Sequence, residues 1–320
     1  MMKMCPVVIP TLNRYQHLKR CVESLATCRY AAETELYISV DYPPSEKYRE
    51  GYDRVLEYVN GGIAGFKAVH VFFQEKNLGT CDNTFFLYSK VFEKYDRLIY
   101  TEDDNEFSVN FLDYMNKMLT RYENDSSVYA ISGYCWPVDL PKRGEAFMTP
   151  FTSAWGRGLW KKRIEEFAGF RRNEIASFLR NAENRKALKK HSIHVYKGAV
   201  YIAADKHYMR IYRGDSEEFW DADFVLQIYQ YLRGMKTVMP YITKVKNFGH
   251  DGSGLNCDDT SGEIFEKQLI DERQTFDVED AIELNADELD ILRHYIDNGE
   301  RTSLKERIKL FLMVATGLNV

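Results

Sequence analysis

Short apolar runs alternate with longer amphipathic stretches through the first hundred residues. Residues 6–10 form one such run, which passes through Thr11, Leu12, Asn13 and Arg14 into a segment carrying Leu18, Val22, Leu25 and Ala26 on one helical face. Residues 36–40 repeat the run and stop at Asp41, ahead of the turn-rich Tyr42-Pro43-Pro44-Ser45. Residues 48–59 then follow a helical pattern closed by Asn60-Gly61-Gly62. A third run at 69–73 leads through Asn77-Leu78-Gly79 into a helix over 80–95, and a fourth occupies 97–101. Strands alternating with helices at this spacing predict an α/β fold, a mostly parallel sheet with helices on both faces. Functional loops then gather at the carboxyl ends of the strands, where Asn13, Arg14, Asp41, Asn77 and the acidic residues after Thr101 all fall.

Beyond Ser108 the pattern is helical, with Phe111, Leu112, Met115, Met118, Leu119 and Tyr122 forming a core stripe. A strand is expected over 128–132. Residues 133–158, with Trp136, Trp155, three prolines and several glycines, are too long and too rich in turn residues for a plain connection. Residues 159–190 read as helical and strongly charged, 197–204 as a strand or turn, 219–233 as a helix opened by Trp220-Asp221-Ala222-Asp223, and 236–246 as strand-like. Two helices are expected near the end, over 286–296 and 304–318. The expected division is a catalytic domain over 1–262, with halves 1–108 and 109–262, and a helical extension over 263–320.

The stretch RLIYTEDDNEFS at 97–108 holds the densest chemistry. Glu102, Asp103, Asp104 and Glu106 place four carboxylates within five residues at the end of a buried strand. Their mutual repulsion and burial are offset either by a divalent cation taking oxygen ligands or by solvent and the dipole of a helix capped at Ser108. The convergence of polar residues on the same sheet edge favours the cation.

Composition narrows the classes. The 43 basic and 48 acidic residues leave a formal charge of -5, which argues against a general nucleic-acid binder. Six cysteines without a C-x-x-C pair read as reduced thiols, and the N-terminus reads as a first strand and not as a signal peptide. A cytoplasmic protein is therefore expected. The last helix mixes Lys305, Arg307 and Lys309 with Ile308, Leu310, Phe311 and Leu312, a pattern that suits peripheral contact with the inner face of a membrane or packing onto the domain.

The segments PVVIPTLNR (6–14), Asp41, EKNLGTCDN (75–83), TEDDNEFSVNFLDYM (101–115), FWDADF (219–224) and NFGHDGSG (247–254) together resemble the GT-A fold of nucleotide-sugar glycosyltransferases. The likeness is greatest to inverting enzymes of family 2 and of the N-acetylglucosaminyltransferase I type, and the acidic block with its following helix is its specific part. The resemblance implies transfer of a hexosyl or N-acetylhexosaminyl group from a nucleoside diphosphate sugar, with a UDP-sugar favoured, to a hydroxyl of a glycan or lipid-linked saccharide. It implies that Asp104 ligates Mn2+ or Mg2+ on the diphosphate, with Asp103 facing the ribose and Glu102 the sugar. Asp41 would read the base imide, Thr11, Asn13, Arg14, Asn77 and Asn83 would line the donor pocket, and Trp155 would face the donor. Asp221, with Asp223 as its rival, would be the base that deprotonates the acceptor, and His250 would be a second metal ligand or phosphate contact. A sugar-phosphate nucleotidyltransferase would need a glycine-rich first loop, which Thr11-Leu12-Asn13-Arg14 lacks; a non-catalytic sugar-nucleotide binder would keep the pocket without turnover.

Overall fold

The computed structural model describes residues 3–204, 223–253, 262–297 and 303–317. Its centre is a nine-stranded sheet in the order β11-β7-β9-β6-β8-β4-β1-β2-β3. The strands are β1 (Val7–Thr11), β2 (Glu35–Val40), β3 (Ala68–Phe73), β4 (Arg97–Tyr100), β6 (Val128–Ser132), β7 (Ala146–Thr149), β8 (Arg157–Trp160), β9 (Lys236–Pro240) and β11 (Ile282–Glu283). Strands β4, β1, β2 and β3 run parallel, as do β6 with β9 and β7 with β11, whereas β8 lies antiparallel between β4 and β6. A separate two-stranded antiparallel ribbon, β5 (Asn105–Phe107) with β10 (Val245–Asn247), sits just past the end of β4.

Both faces of the sheet are covered, which is why β1, β2 and β4 are buried along their whole lengths. Alternation along β1 sends Val7 and Ile9 to one side and Val8 to the other. The first side packs on α1 (Tyr15–Ala26), α2 (Arg49–Asn60) and α4 (Phe111–Arg121), whose expected stripe of Phe111, Leu112, Met115, Met118 and Leu119 is buried. The second packs on α3 (Gly79–Phe92) and on α5 (Lys161–Ala168), α6 (Arg172–Arg180), α7 (Ala182–His191), α8 (Ile193–Ala204) and α9 (Asp223–Arg233). After the short α10 (Gly262–Glu266), residues 271–281 cross the outer surface of α4. Along the way Asp113 accepts from the Phe276 amide at 2.9 Å, and buried Lys244 pairs with Asp271 at 2.5 Å. Helices α11 (Ala286–Ile296) and α12 (Leu304–Gly317) follow β11.

The α/β architecture holds, with local differences from expectation: β7 lies in the stretch 133–158 read as a loop and β11 in the extension read as helical, and two further stretches change class. Residues 157–160, read as loop and helix start, form the inserted strand β8; Gly158 is small because α4 crosses it, and a β-carbon there would meet Leu119 and Met115 at 2.9 Å. Residues 197–204, read as strand or turn, belong to helix α8, a nearly all-apolar helix whose buried Val195, Tyr196, Ala199, Val200 and Ala203 recur at helical spacing. Its amino end is held by Asp297, which accepts from the Ser192 hydroxyl at 2.5 Å and from the Ile193 and His194 amides at 3.1 and 3.2 Å.

His191, at the end of α7, stacks on Phe151 at 4.9 Å and leans on Tyr231 at 4.5 Å. Burial pushes its imidazole from 6.5 down to about 4, against the pull of Asp297 and with the help of Arg293. Between those two values the unfolded chain takes up a proton that the folded chain refuses, so stability is lost as pH falls from 6.5 towards 4. Urea unfolding of His191→Leu across that range is expected to show a shallower fall with acid than the parent; parallel curves would contradict the buried neutral imidazole.

Candidate active site

Three neighbouring strands, β4, β1 and β2, end together at one edge of the sheet. Thr11 closes β1, Asp41 follows β2, and Thr101 to Asp104 follow β4. The Asp41 amide donates to the Thr11 carbonyl at 2.9 Å and the Thr101 amide to the Val8 carbonyl at 3.1 Å, which carries the sheet's hydrogen bonding into the loops.

Asp103 and Asp104 are both buried here, and Arg14 from the β1–α1 loop lies between them. One guanidinium nitrogen donates to Asp103 Oδ1, and the other lies 2.8 Å from Asp104 Oδ2. Thr11 Oγ1 donates to Asp103 Oδ2 at 2.7 Å, and Asn247 Nδ2 donates to Asp104 Oδ1 at 2.8 Å. Burial pushes the Asp103 carboxyl above the ordinary carboxylate value despite Arg14, and the neighbouring Asp104 charge adds to the rise. Burial alone would disfavour the Arg14 cation, but Asp103, Asp104 and the half-buried Glu102 hold it protonated far above neutral pH.

The ribbon strand β10 closes the cluster from above. Asn247 also donates to Asn105 Oδ1 at 3.0 Å, and its own Oδ1 accepts from the Gly249 amide at 2.9 Å. The Phe248 amide donates to the Asp104 carbonyl at 2.9 Å. Gly249 lies so close that a β-carbon there would fall 2.2 Å from Asp104 Oδ2. Asn247, Gly249 and Asn105 lie outside the residues that the sequence assigns to the site. The asparagine and glycine of NFGHDGSG are the sequence signal for them, but only the β5–β10 pairing reveals what they touch.

Asp41 is engaged differently from the expected contact with a base. Its Oδ1 accepts from the Tyr42 and Leu78 amides at 2.9 and 2.8 Å, and its Oδ2 from the Gly79 amide at 2.9 Å and Asn77 Nδ2 at 3.1 Å. Two donors on each oxygen fill the acceptor capacity of a carboxylate. Asp41 thus caps the amino end of α3 and fixes the 77–79 turn. Burial still raises its pKa, with the three amides opposing. The Asn77 side chain also donates to the Tyr42 carbonyl at 2.7 Å. Asn83, expected near the donor, is instead bonded to Ser39 inside the α3–β2 contact.

A cavity of about 360 Å³ opens beside the cluster, lined by Asn13, Arg14, His17, Gly51, Arg54 and Asp251 among others. Asp41, Asp103 and Asp104 are not among its lining residues. Gly51 lets α2 press on the loop, since a β-carbon there would lie 2.3 Å from the Asn13 carbonyl oxygen. His17 Nε2 lies 3.0 Å from Asp251 Oδ2. Burial would raise the Asp251 carboxyl, but the Ser253 hydroxyl and amide, with His17, hold it at about 2.

His250 and Trp155 come together, in an aromatic group away from the expected metal role. The His250 ring stacks on Phe265 at 4.4 Å, and Trp155 meets Tyr134, Phe265 and His250 edge-on at 4.6, 5.3 and 5.9 Å. Asp221 and Trp220 lie outside the described residues. Asp223 is the first residue of α9, and its side chain also lies outside them.

Among the described residues no group of three or more His, Cys, Asp or Glu could hold a metal ion by itself. The donor chemistry at Asp103 and Asp104 nevertheless fits a hard dication, because such ions take one or two carboxylates and complete their shell with phosphate oxygens and water. The space between the two carboxylates belongs to Arg14 in this arrangement.

No protein-family profile and no curated protein sequence matches the chain. Among solved structures, the 1-349 portion of S. aureus TarS in complex with UDP aligns with 51% of this chain and 48% of that portion, at 15% identity and a TM-score of 0.38. A mannosyltransferase from Pyrobaculum calidifontis, in complex with GDP-Man and Mn2+, aligns with 52% of this chain and 47% of its own, at 14% identity and a TM-score of 0.36. Mouse xyloside xylosyltransferase 1 aligns with 51% of this chain and 68% of its own, at 11% identity and a TM-score of 0.31. The chain thus spans about half the length of the first two.

Removing the guanidinium leaves two adjacent buried carboxylates without their cation. Arg14→Met is expected to lower the unfolding free energy by about 3–5 kcal/mol, read by urea titration, with part recovered in Arg14→Met combined with Asp103→Asn. A loss below about 1 kcal/mol, the value of an exposed pair, would show that Arg14 does not neutralise the cluster.

Proposed function

We propose that the chain is a nucleotide-sugar-dependent glycosyltransferase of the GT-A kind, moving a hexosyl or N-acetylhexosaminyl group from a nucleoside diphosphate to a hydroxyl of a glycan or lipid-linked saccharide with inversion. The observation that carries this reading is the buried Arg14–Asp103–Asp104 cluster at the carboxyl ends of β1 and β4, where open α/β sheets bind ligands. The cluster pairs carboxylates suited to a cation with a guanidinium suited to a phosphate. That combination fits a diphosphate better than it fits a neutral substrate.

In this reading Asp104 holds Mn2+ or Mg2+, which when bound would offset the charge that grows on the departing nucleoside diphosphate, while Asp103 faces the ribose. Thr11 fixes the rotamer of Asp103 through its hydroxyl, and Asn247 fixes that of Asp104. Arg14, released from the carboxylates, turns its planar fork to a phosphate at the cavity it already lines with Asn13. A UDP-sugar is the favoured donor. The base role belongs to Asp221, with Asp223 as rival; it takes the proton of the acceptor hydroxyl as the oxygen attacks the anomeric carbon. Capping by Asp41 holds the 77–79 turn in place, so its contribution to donor binding runs through Asn77.

Thermal unfolding with a panel of nucleoside diphosphate sugars is expected to give a Mn2+-dependent rise for at least one donor, corresponding to about 2.7 kcal/mol at a hundredfold excess over Kd. Asp104→Asn should lose the Mn2+-dependent part, and no shift with any donor would reject the reading. Asp221→Asn should keep the donor-induced rise while turnover falls about 10²–10⁴-fold, the range for a lost general base. Loss of donor binding with turnover per bound donor intact would remove Asp221 from that role.

A further inference from the structure

Helix α12 has two apolar sides. Leu310, 4% exposed, packs with Met313 and Val314 into the core that contains α8. Away from that contact, Leu304 is 74% exposed, Ile308 52%, Phe311 70% and Leu312 53%. Residues 304, 308 and 311 fall at helical spacing and form one outward stripe. Four large apolar side chains side by side on an exposed helix mark a surface that something covers.

The charge around the stripe identifies the cover. Lys305 and Arg307 flank it on α12, and Lys186, Lys189 and Lys190 are exposed on α7. The two helices present one positive field: Arg185 and Arg307 both act on Lys189, adding to its desolvation in holding that ammonium below its ordinary value. Nearby, Glu306 is neutralised by Lys197 at 2.9 Å. The chain as a whole carries -5, so this concentration of positive charge runs against its overall balance.

A second copy of the chain would bring the same positive field against itself in a two-fold contact. An anionic bilayer offers negative headgroups at the level of the lysines and hydrocarbon at the level of Phe311 and Ile308. No helix among the described residues is long and apolar enough to cross a membrane, so the contact is with the interface. We propose that the outward face of α12, together with the basic side of α7, docks the protein on the surface of an anionic lipid bilayer. The inference stands on this surface alone and does not require that the chain transfer a sugar.

Flotation of the full chain with vesicles tests it. Vesicles of phosphatidylcholine with about one third phosphatidylglycerol are expected to bind at least about tenfold better than pure phosphatidylcholine, and added salt should weaken that binding. Ile308→Ser with Phe311→Ser should lower partition into anionic vesicles about tenfold or more. Lys189→Glu with Lys190→Glu should remove the preference for anionic lipid. All four side chains are exposed, and unchanged thermal unfolding would verify that both variants fold. Equal binding to neutral and anionic vesicles, or full binding by the serine variant, would overturn the proposal. So would self-association, seen by sedimentation, that the serine variant loses in the absence of any vesicle binding.

Discussion

Two carboxylates on consecutive residues, both buried, are tolerable only beside a compensating charge, and that requirement shapes the functional edge of this protein. Asp103 and Asp104 leave the end of β4 where the sheet is covered on both faces, so water cannot neutralise them. Arg14 does so with a fork that reaches both residues. An ammonium in its place would act as a point charge and satisfy the pair less completely. The end of β1, the β1–α1 loop and the β10 segment are all held by bonds to these two side chains, from Thr11, Arg14 and Asn247.

With Glu102 alongside, the cluster retains more negative than positive charge. On the proposed function, that surplus of negative charge would favour a dication in place of the guanidinium. Such an exchange conserves the neutralisation of the carboxylates while freeing an arginine beside the 360 Å³ cavity. On the proposed function, the same residues that stabilise the empty fold would serve a diphosphate that arrives with its own metal ion.

Much of the fold could be read from periodicity. The first four strands and their helices appear where short apolar runs and amphipathic stretches alternate, because both faces of the sheet are covered and the signal is clean. Strand β8 escaped because four residues carry no period, and α8 because a nearly uniform apolar helix looks like buried strand until Ser192 and Asp297 are seen to cap it. In the site, carboxylates announced themselves by their number. The roles of Asn247 and Gly249 depend on a ribbon that joins residues about 140 positions apart in sequence, a pairing that no local pattern encodes.

Asp41 and the Asp103–Asp104 pair are one strand apart, yet their energetics differ in kind. Three of Asp41's four bonds come from the amino end of α3 and its preceding turn and the fourth from the Tyr42 amide, so a ligand that claims one of the three must break a bond to a charged group, worth about 1.5–3 kcal/mol, and loosen the helix. At Asp103 and Asp104 the partner is one guanidinium shared between two buried carboxylates, held by charge and not by a filled set of amide donors. The charged cluster therefore belongs to β1 and β4, while β2 supplies rigidity. The Asp41 amide on the Thr11 carbonyl, and the Thr11 hydroxyl on Asp103, join the rigid part to the exchangeable one.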